Sequence, residues 1–391
     1  MAILLFALKI LIGDRAKFIG IILGLSFASF IIVQQAAIFV GLMVRTYGFI
    51  TDTSQPDIWV MDSKVRFIDD IKPLKDTQLL LVRGIEGVDW AVPFYKGLLK
   101  ARLQNGNFQI CNVIGIDNAT LIGGPPIMLE GKLRDLRLVD AIIVNKEGAD
   151  DKLATNSGPG RDNGAPTIPL QVGDTLEIND NRAVVVGICE TTRTFQSQPV
   201  IYTTYSRAVS FAPYERKLLS FILVKAQQGI SSKELCHRIR TYTGLSAYTS
   251  SEFKWLTIHY YLTNTGIPIN FGVAVILGFI IGIAISGQTF YNFILDNLRY
   301  LATFKAMGAA NLLLTKMVLL QAAWIGFIGW GIGVGTACLF GFFSRSSQLS
   351  FLIPWHLFAL SGVVMFFICG FSALLGLYRV YRLDPAIVFK S

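Results

Sequence analysis

The sequence predicts a membrane protein with four transmembrane α-helices and a large two-lobed α+β extracytoplasmic domain between helices 1 and 2. Three observations lead there. Residues 18–44, 267–294, 311–343 and 351–378 are apolar runs, each longer than the ~20 residues a helix needs to cross ~30 Å of hydrocarbon. The 391-residue chain is 52% hydrophobic and only 16% charged, whereas an ordinary soluble domain carries about a quarter charged residues. Finally, residues 45–266 have the mixed composition of a folded aqueous domain, with strand and helix patterns and a strong hairpin turn.

Charge placement orients the chain. Lys316 is the one charged residue in the four runs. Lys9, Arg15 and Lys17 precede the first; Arg299 and Lys305 lie between the second and third; Arg379, Arg382 and Lys390 follow the fourth. The short link between the third and fourth runs has only Arg345. Basic residues gather on the cytoplasmic side of short loops, and long domains translocate largely regardless of charge. Both termini and residues 295–310 are therefore expected in the cytosol and 45–266 outside, in an inner membrane. The net charge of +9 is read as topology and contact with membrane lipids, not as a nucleic-acid footprint.

Taken in order, residues 1–17 are expected to form an interfacial helix on the inner leaflet, since eleven apolar residues are too few to span. A signal peptide is the competing reading, but Met1 is followed by no basic region and no cleavage site stands out. The spans contain Gly20-x-x-x-Gly24, Gly278-x-x-x-Gly282 and Gly329-x-x-x-Gly333, a spacing that lets helix backbones approach closely in lipid. Trp355 at one end of the last span, with Tyr378 and Tyr381 at the other, fits an interfacial aromatic belt.

In the domain, strands are expected at Asp57–Met61, Val88–Tyr95 and Gly97–Gln104. Asn105-Gly106 turns the chain into Asn107–Ile116, with Phe108 and Ile110 on one face. A helix over Leu74–Arg83 closes at Gly84. A further strand is expected at Leu219–Ala226, followed by a helix opened by a Ser231/Glu234 capping box, with Leu235, Ile239 and Tyr242 on one face and Gly244 at its end. A second lobe covers about 117–218, with a hairpin at Thr175–Ile178, Asn179-Asp180-Asn181 and Ala183–Ile188, and a strand at Val200–Tyr205. The polar stretch 148–169 is read as disordered or as a contact surface, with disorder the leading expectation.

Catalytic chemistry is not apparent. The nearest approach to a phosphate-binding loop, Gly131-Lys132, has Pro126 for the leading glycine and Leu133 for the Ser or Thr. His237, His259 and His356 stand singly, and no metal-ligand spacing or cofactor motif occurs. Cys111, Cys189 and Cys236 lie outside the spans and can form at most one disulfide. The spans hold no Asp or Glu, so a proton relay through the membrane is not expected. Energy must enter from elsewhere, and a cytosolic partner at 295–310 is the simplest source.

That segment, Asn292–Ala310, reads as a short helix with Asp296, Arg299 and Lys305, stopped at Gly308. It resembles the Arg-Glu-x-Gly-x-x-Lys-Ala-Met/Leu-Gly-Ala stretch of the FtsX/MacB superfamily of ABC-transporter permeases, with Tyr300 in place of the Glu and Ala302 in place of the first Gly. The order of elements and the closing Tyr381–Ile387 stretch are similar to that family as well. Gln55–Met61 and Ile68–Leu74 look most like the DevC-type permeases.

The resemblance implies a homodimeric permease, itself not an enzyme, served by a separate cytosolic ABC ATPase. In DevC-type systems a periplasmic adaptor and an outer-membrane channel complete an exporter. The implied mechanism is mechanical: ATP binding closes the ATPase pair, and long stalk helices carry the motion to the periplasmic domains. Helical continuation through Arg45–Ile50, and from Trp255–Leu262 into the second span, would supply such stalks. Docking of the ATPase is expected at exposed Arg299, Tyr300, Phe304, Lys305 and Met307, the alternative being that the segment only packs on lipid headgroups. The cargo would be a lipid, glycolipid or other hydrophobic compound. Two other outcomes stay open: a transmembrane signal transmitter activating a cell-wall hydrolase, or a lipoprotein-release permease.

Overall fold

The computed structural model describes residues 15–156, 167–213, 219–296, 300, 303–305, 307–344 and 349–381. The helix expected within 1–17 falls almost wholly outside them, as do Arg299, Arg345, the middle of the 148–169 stretch and the tail beyond Tyr381. The chain divides into two compact units, Met43–Thr265 and Met1–Leu42 with Gly266–Ser391. One helix, α1 (Arg15–Asp52), runs through the boundary. Its 38 residues measure ~57 Å at the usual helical rise, well beyond the hydrocarbon thickness.

Within Met43–Thr265, β1 (Ile58–Met61) is apolar at each position because both its faces are covered. Ile58 and Val60 join one core, Trp59 and Met61 the opposite one. Helix α2 (Asp76–Arg83) adds Leu79 and Val82 to the first. Strand β2 (Val88–Arg102) is a single strand where the sequence suggested two. It stays continuous because it changes partner without changing direction. Val88–Phe94 pairs antiparallel with Phe221–Ala226, and Tyr95–Arg102 with β3 (Phe108–Ile116). At this switch, a Cβ on Gly97 would stand 2.5 Å from the Tyr95 hydroxyl, so a side chain there would expel the ring. Asn105-Gly106 makes the expected turn, Gly106 lying at φ +82. Phe108 and Ile110 share a face, as the alternation predicted, but it is the exposed one; Leu99 and Ala101 carry the buried side.

The chain continues through β4 (Ile127–Glu130), β5 (Ala141–Asn145), the minor pair β6 (Thr155–Asn156) and β7 (Thr167–Ile168), β8 (Thr175–Ile178), β9 (Asn181–Glu190) and β10 (Val200–Thr204). The β8–β9 hairpin turns on Asn179 (φ 45) and Asp180 (φ 63), the two left-handed residues that a type I′ turn requires. Helix α3 (Tyr205–Phe211), β11 (Phe221–Ala226), α4 (Ser232–Thr243), β12 (Ser246–Thr249) and α5 (Ser250–Asn264) complete the unit. The strand path is β12-β1-β11-β2-β3-β10-β5-β9-β4, with β8 lying against β2 and β9. Strands of 117–218 thus join the rest through parallel β10–β3 pairing and through β8–β2.

Three local expectations change. The Ser231/Glu234 capping box does not form: Ser231 makes no side-chain cap bond, and Glu234 instead accepts from Arg238 at 2.6 Å, one turn along. Tyr242 is exposed, whereas Leu235 and Ile239 are buried beneath α4. The described ends of 148–169 are ordered, because a π-helical turn over Gly148–Lys152 buries Ala149 and Leu153, and Leu170 donates its N–H to the Ala149 carbonyl at 3.0 Å.

Helix α5 does not run on into the second span. It ends at Asn264, Thr265 is extended (φ −125, ψ 155), and α6 (Ile267–Asp296) starts afresh. Pro268 has no N–H to give the Asn264 carbonyl, and proline is tolerated only in the first turn of the new helix.

In the other unit, α1 packs with α6, α7 (Asn311–Phe343) and α8 (Trp355–Tyr381). Among the described residues, four helices are long and apolar enough to cross a membrane: Phe18–Asp52, Ile267–Asp296, Asn311–Phe343 and Trp355–Leu374. Leu25, Phe290, Ile325 and Ile368, one from each helix, are fully buried in one core. Helix α8 starts at Trp355, later than the apolar run suggested. Pro354 opens it by accepting from the Leu357 and Phe358 N–H groups, while Leu352 donates to the Ala37 carbonyl at 3.2 Å.

Candidate functional site

Asn292–Ala310 begins as the end of α6 and passes into a second short helical piece at Thr303–Lys305. Its stop is a Schellman closure. Gly308, at φ +91, donates to the Lys305 carbonyl at 3.1 Å, and Ala309 donates to the Phe304 carbonyl at 2.9 Å. Only glycine takes that φ without strain. Tyr300 and Met307 are exposed, 57% and 70% respectively, and Lys305 is half-buried. Phe304 departs from its expected place as an exposed docking group: its ring packs against the core of the helix bundle. That apolar ring facing inward fixes the segment, while Thr303 and Met307 stay exposed. Arg299 lies outside the described residues.

The glycines expected at helix contacts divide. A Cβ added to Gly24 would lie 2.3 Å from Ile285, to Gly278 3.0 Å from Ile32, and to Gly282 3.2 Å from Ala28. At Gly329 it would meet Leu25 at 2.8 Å, and at Gly333 Ser29 at 2.4 Å. These five sit where α1 meets α6 or α7. Gly20 does not: among the described residues an added Cβ meets nothing within 4 Å.

The last two turns of α1 show what sequence reasoning missed. Asp52 accepts the Thr192 N–H at 2.7 Å and its hydroxyl at 2.8 Å. Gly48 abuts the same threonine, and Arg45 donates to the Ser197 hydroxyl at 3.4 Å. On the opposite side Phe49 enters an aromatic cluster, 5.9 Å from Phe94 and 6.4 Å from Trp59 between ring centroids. Two side chains of α1 and the backbone of Gly48 thus reach the loop after β9, and a third side chain, Phe49, the core beneath it. The one available signal was Gly48 in the last turns of the helix, beyond the apolar run. Likewise Thr249 and Glu252 form a true capping box at the start of α5, with bonds of 3.2 and 3.0 Å. The Thr249-x-x-Glu252 spacing is legible in the sequence.

No group of three His, Cys, Asp or Glu among the described residues could hold a metal ion. His237, His259 and His356 are exposed on three separate helices.

A family model described as the MacB-like periplasmic core domain matches residues 18–242, more than half the chain, and the FtsX-like permease C-terminal model matches 256–385. The chain belongs to the FtsX/MacB superfamily of ABC-transporter permeases. Comparison of this permease with curated proteins finds no match. Among solved structures, the periplasmic region of MacB from Actinobacillus actinomycetemcomitans is 16% identical at TM-score 0.37, covering 53% of the permease and 94% of that chain. The extracellular domain of the noncanonic ABC-type transporter YknZ from Gram-positive bacteria is 12% identical at TM-score 0.33, covering 50% and 98%. A domain of a putative permease protein from Porphyromonas gingivalis is 13% identical at TM-score 0.32, covering 50% and 89%.

Proposed function

We propose that this chain is the permease subunit of an ABC exporter, nearest the DevC type, working as a homodimer in the inner membrane with both termini in the cytosol. A separate ATPase docks on 295–310 through Arg299, Tyr300, Lys305 and Met307, while Phe304 anchors that segment to the bundle. Closure of the ATPase pair tilts the membrane helices, and α1 carries the tilt into the periplasmic domain. A periplasmic adaptor and an outer-membrane channel then pass on a lipid, glycolipid or other hydrophobic cargo.

The observation that supports this most directly is α1 itself. It is unbroken from Arg15 to Asp52, and its last turns are bonded to the loop after β9. A continuous helix transmits displacement where a jointed one absorbs it. The break at Thr265 gives α5 no such continuity, so α1 is assigned as the drive and α5 as the follower.

The test is affinity capture of the native chain from its membranes, with the Arg299→Glu/Lys305→Glu double variant alongside. Capture of an ABC ATPase by the native chain and its loss in the variant is the expected result. Absence of any ATPase with the native chain refutes the docking assignment. Co-purification of a cell-wall hydrolase, with no cargo, would favour a signal transmitter over an exporter.

A further inference from the structure

A cavity of about 630 Å³ opens in the Met43–Thr265 unit, within the range of small-molecule sites. None of the features discussed above uses it. One wall is the second half of β2 with β3, another the loop after β9, and a third α5 and the segment before α2.

The polar groups around it are engaged within the protein. Lys96 is paired to Asp69, and Asp70 to Lys72 at 2.9 Å and to Arg66 at 3.5 Å. Ser220 exchanges two bonds of 3.0 Å with the Lys96 backbone. Thr194 accepts the Gln198 N–H at 2.8 Å and donates to its carbonyl at 3.2 Å, and the Gln196 side chain accepts from that of Gln198 at 3.1 Å. The Asn112 amide oxygen has no accessible surface. What the lining still offers a ligand is apolar: Phe67, Ile71, Pro73, Leu98, Phe195 and Tyr261. Ring centroids of Phe195 and Tyr261 are 5.0 Å apart, and those of Phe67 and Tyr261 5.6 Å. A polar group entering here would lose its water without gaining a partner, which is costly, whereas a hydrocarbon chain loses nothing.

The apolar lining continues outside the cavity. Leu98 lines it and is also 45% exposed, so this side chain stands at the mouth. Side chains two residues apart share a strand face, and so do those directly opposite on the neighbouring strand. Lys100 therefore follows Leu98 on that face, ~7 Å along β2, with Ile110 opposite, and Arg102 follows with Phe108 opposite. Ile110 and Phe108 are 51% and 57% exposed. Arg102 is paired with Glu177 at 3.3 Å. Lys100 instead stands 4.0 Å from the centroid of the Phe108 ring, with no carboxylate in ion-pair range among the described residues.

An apolar cavity, an apolar track leading out of it and an uncommitted cation beside that track fit a molecule with a hydrocarbon tail and an anionic head. We propose that this site binds one long-chain anionic amphiphile. Its tail lies against Phe67, Phe195 and Tyr261, crosses Leu98 and Ile110, and its carboxylate or phosphate pairs with Lys100. A free fatty acid and a single-chain phospholipid share this chemistry. The Phe195 wall belongs to the loop that Asp52 and Arg45 bind, so a tail seated there lies one loop away from the end of α1. The assignment rests on the domain alone and holds whether or not the chain exports.

The experiment uses the full chain in phosphatidylcholine nanodiscs and a palmitic acid carrying a mid-chain diazirine, with the matching long-chain alcohol as the uncharged control. After illumination, adducts are mapped by mass spectrometry. The acid is expected to label the stretches 67–73 and 194–198, and excess unlabelled amphiphile is expected to abolish those adducts while leaving adducts in the membrane helices unchanged. Palmitate and a lysophosphatidic acid serve as competitors; the one effective at lower concentration identifies a free fatty acid or a membrane lipid as the source, and either result supports the site. Leu98→Asp and Lys100→Glu change exposed side chains, so the melting temperature should hold. Leu98→Asp is expected to remove cavity labelling by both probes. Lys100→Glu is expected to weaken acid labelling at least about tenfold, the worth of one hydrogen bond to a charged group, and to leave the alcohol unaffected. Adducts confined to the membrane helices, cavity adducts that survive Leu98→Asp, or acid labelling indifferent to Lys100→Glu would each overturn the proposal.

Discussion

Gly48 and Thr192 meet so closely that a Cβ on Gly48 would stand 2.3 Å from Cγ2 of Thr192 and 2.8 Å from its Cβ. The glycine is a poor helix former placed where α1 must be continuous, and the threonine next to it is held by Asp52. Helix propensity and packing therefore pull in opposite directions at this position.

Packing is expected to win. Gly48→Ala gains about 1 kcal/mol of helix propensity but forces a clash that costs ~1–3 kcal/mol where neighbours cannot yield. Thr192 cannot yield freely, since both its N–H and its hydroxyl are bound by Asp52. Thermal unfolding of the full chain should show Gly48→Ala destabilised and partly restored by Thr192→Ser, which removes Cγ2 and keeps the hydroxyl. A more stable Gly48→Ala would mean the contact does not exist.

Gly333 offers the same test inside the bundle. An added Cβ would lie 2.4 Å from the Ser29 Cβ and 2.7 Å from the Ser26 carbonyl, whereas at Gly335, two residues on, it meets open space. Gly333→Leu should separate α1 from α7 and lower the melting temperature of the detergent-solubilised chain by several degrees, a loss of at least ~1–3 kcal/mol. Gly335→Leu should change it little. Equal effects at the two positions would show that α1 and α7 do not meet there.

Asp70 sets an acid dependence. Burial raises its carboxyl, but hydrogen bonds from Lys72 and from the Arg66 N–H outweigh this, holding it below the ordinary 3.8. A carboxylate lowered in the folded state adds stability above its ordinary value and loses it as pH falls through the lowered one. Asp70→Asn should therefore be less stable than the native chain at neutral pH, with the gap closing in acid below about pH 4. A gap independent of pH, measured by unfolding across that range, would show that the ion pairs contribute nothing.

The thiols of Cys111, Cys189 and Cys236 are buried, and burial pushes each up to about 12. At pH 8 the reactive thiolate fraction is then on the order of 10⁻⁴. In a Cys338→Ser background a maleimide should label the folded chain very slowly and the denatured chain fully. Rapid labelling of the domain thiols in the native state would contradict the packing of β3, β9 and α4.

The sequence by itself determined that four stretches form helices long and apolar enough to cross a membrane, and the membership of the family. Length and apolarity of a span are properties of a contiguous stretch, and the bilayer imposes them on each helix separately. Turn chemistry was as local, so Asn105-Gly106 and Asn179-Asp180 could be read directly, and so could the glycine stop at Gly308. The tertiary structure alone decided what depends on two distant stretches meeting. That β2 is one strand follows from a change of partner between Phe94 and Tyr95, which no periodicity along β2 records. Phe108 and Ile110 share a face in any strand; which face is covered depends on what lies across the sheet. The hold of Asp52 on Thr192, 140 residues away, and the matching of Lys96 with Asp69 across a cavity wall are of the same kind. Local sequence fixes the conformations a chain can take segment by segment, while contacts between remote segments select among them through packing, and those contacts have no signature until the chain has closed on itself.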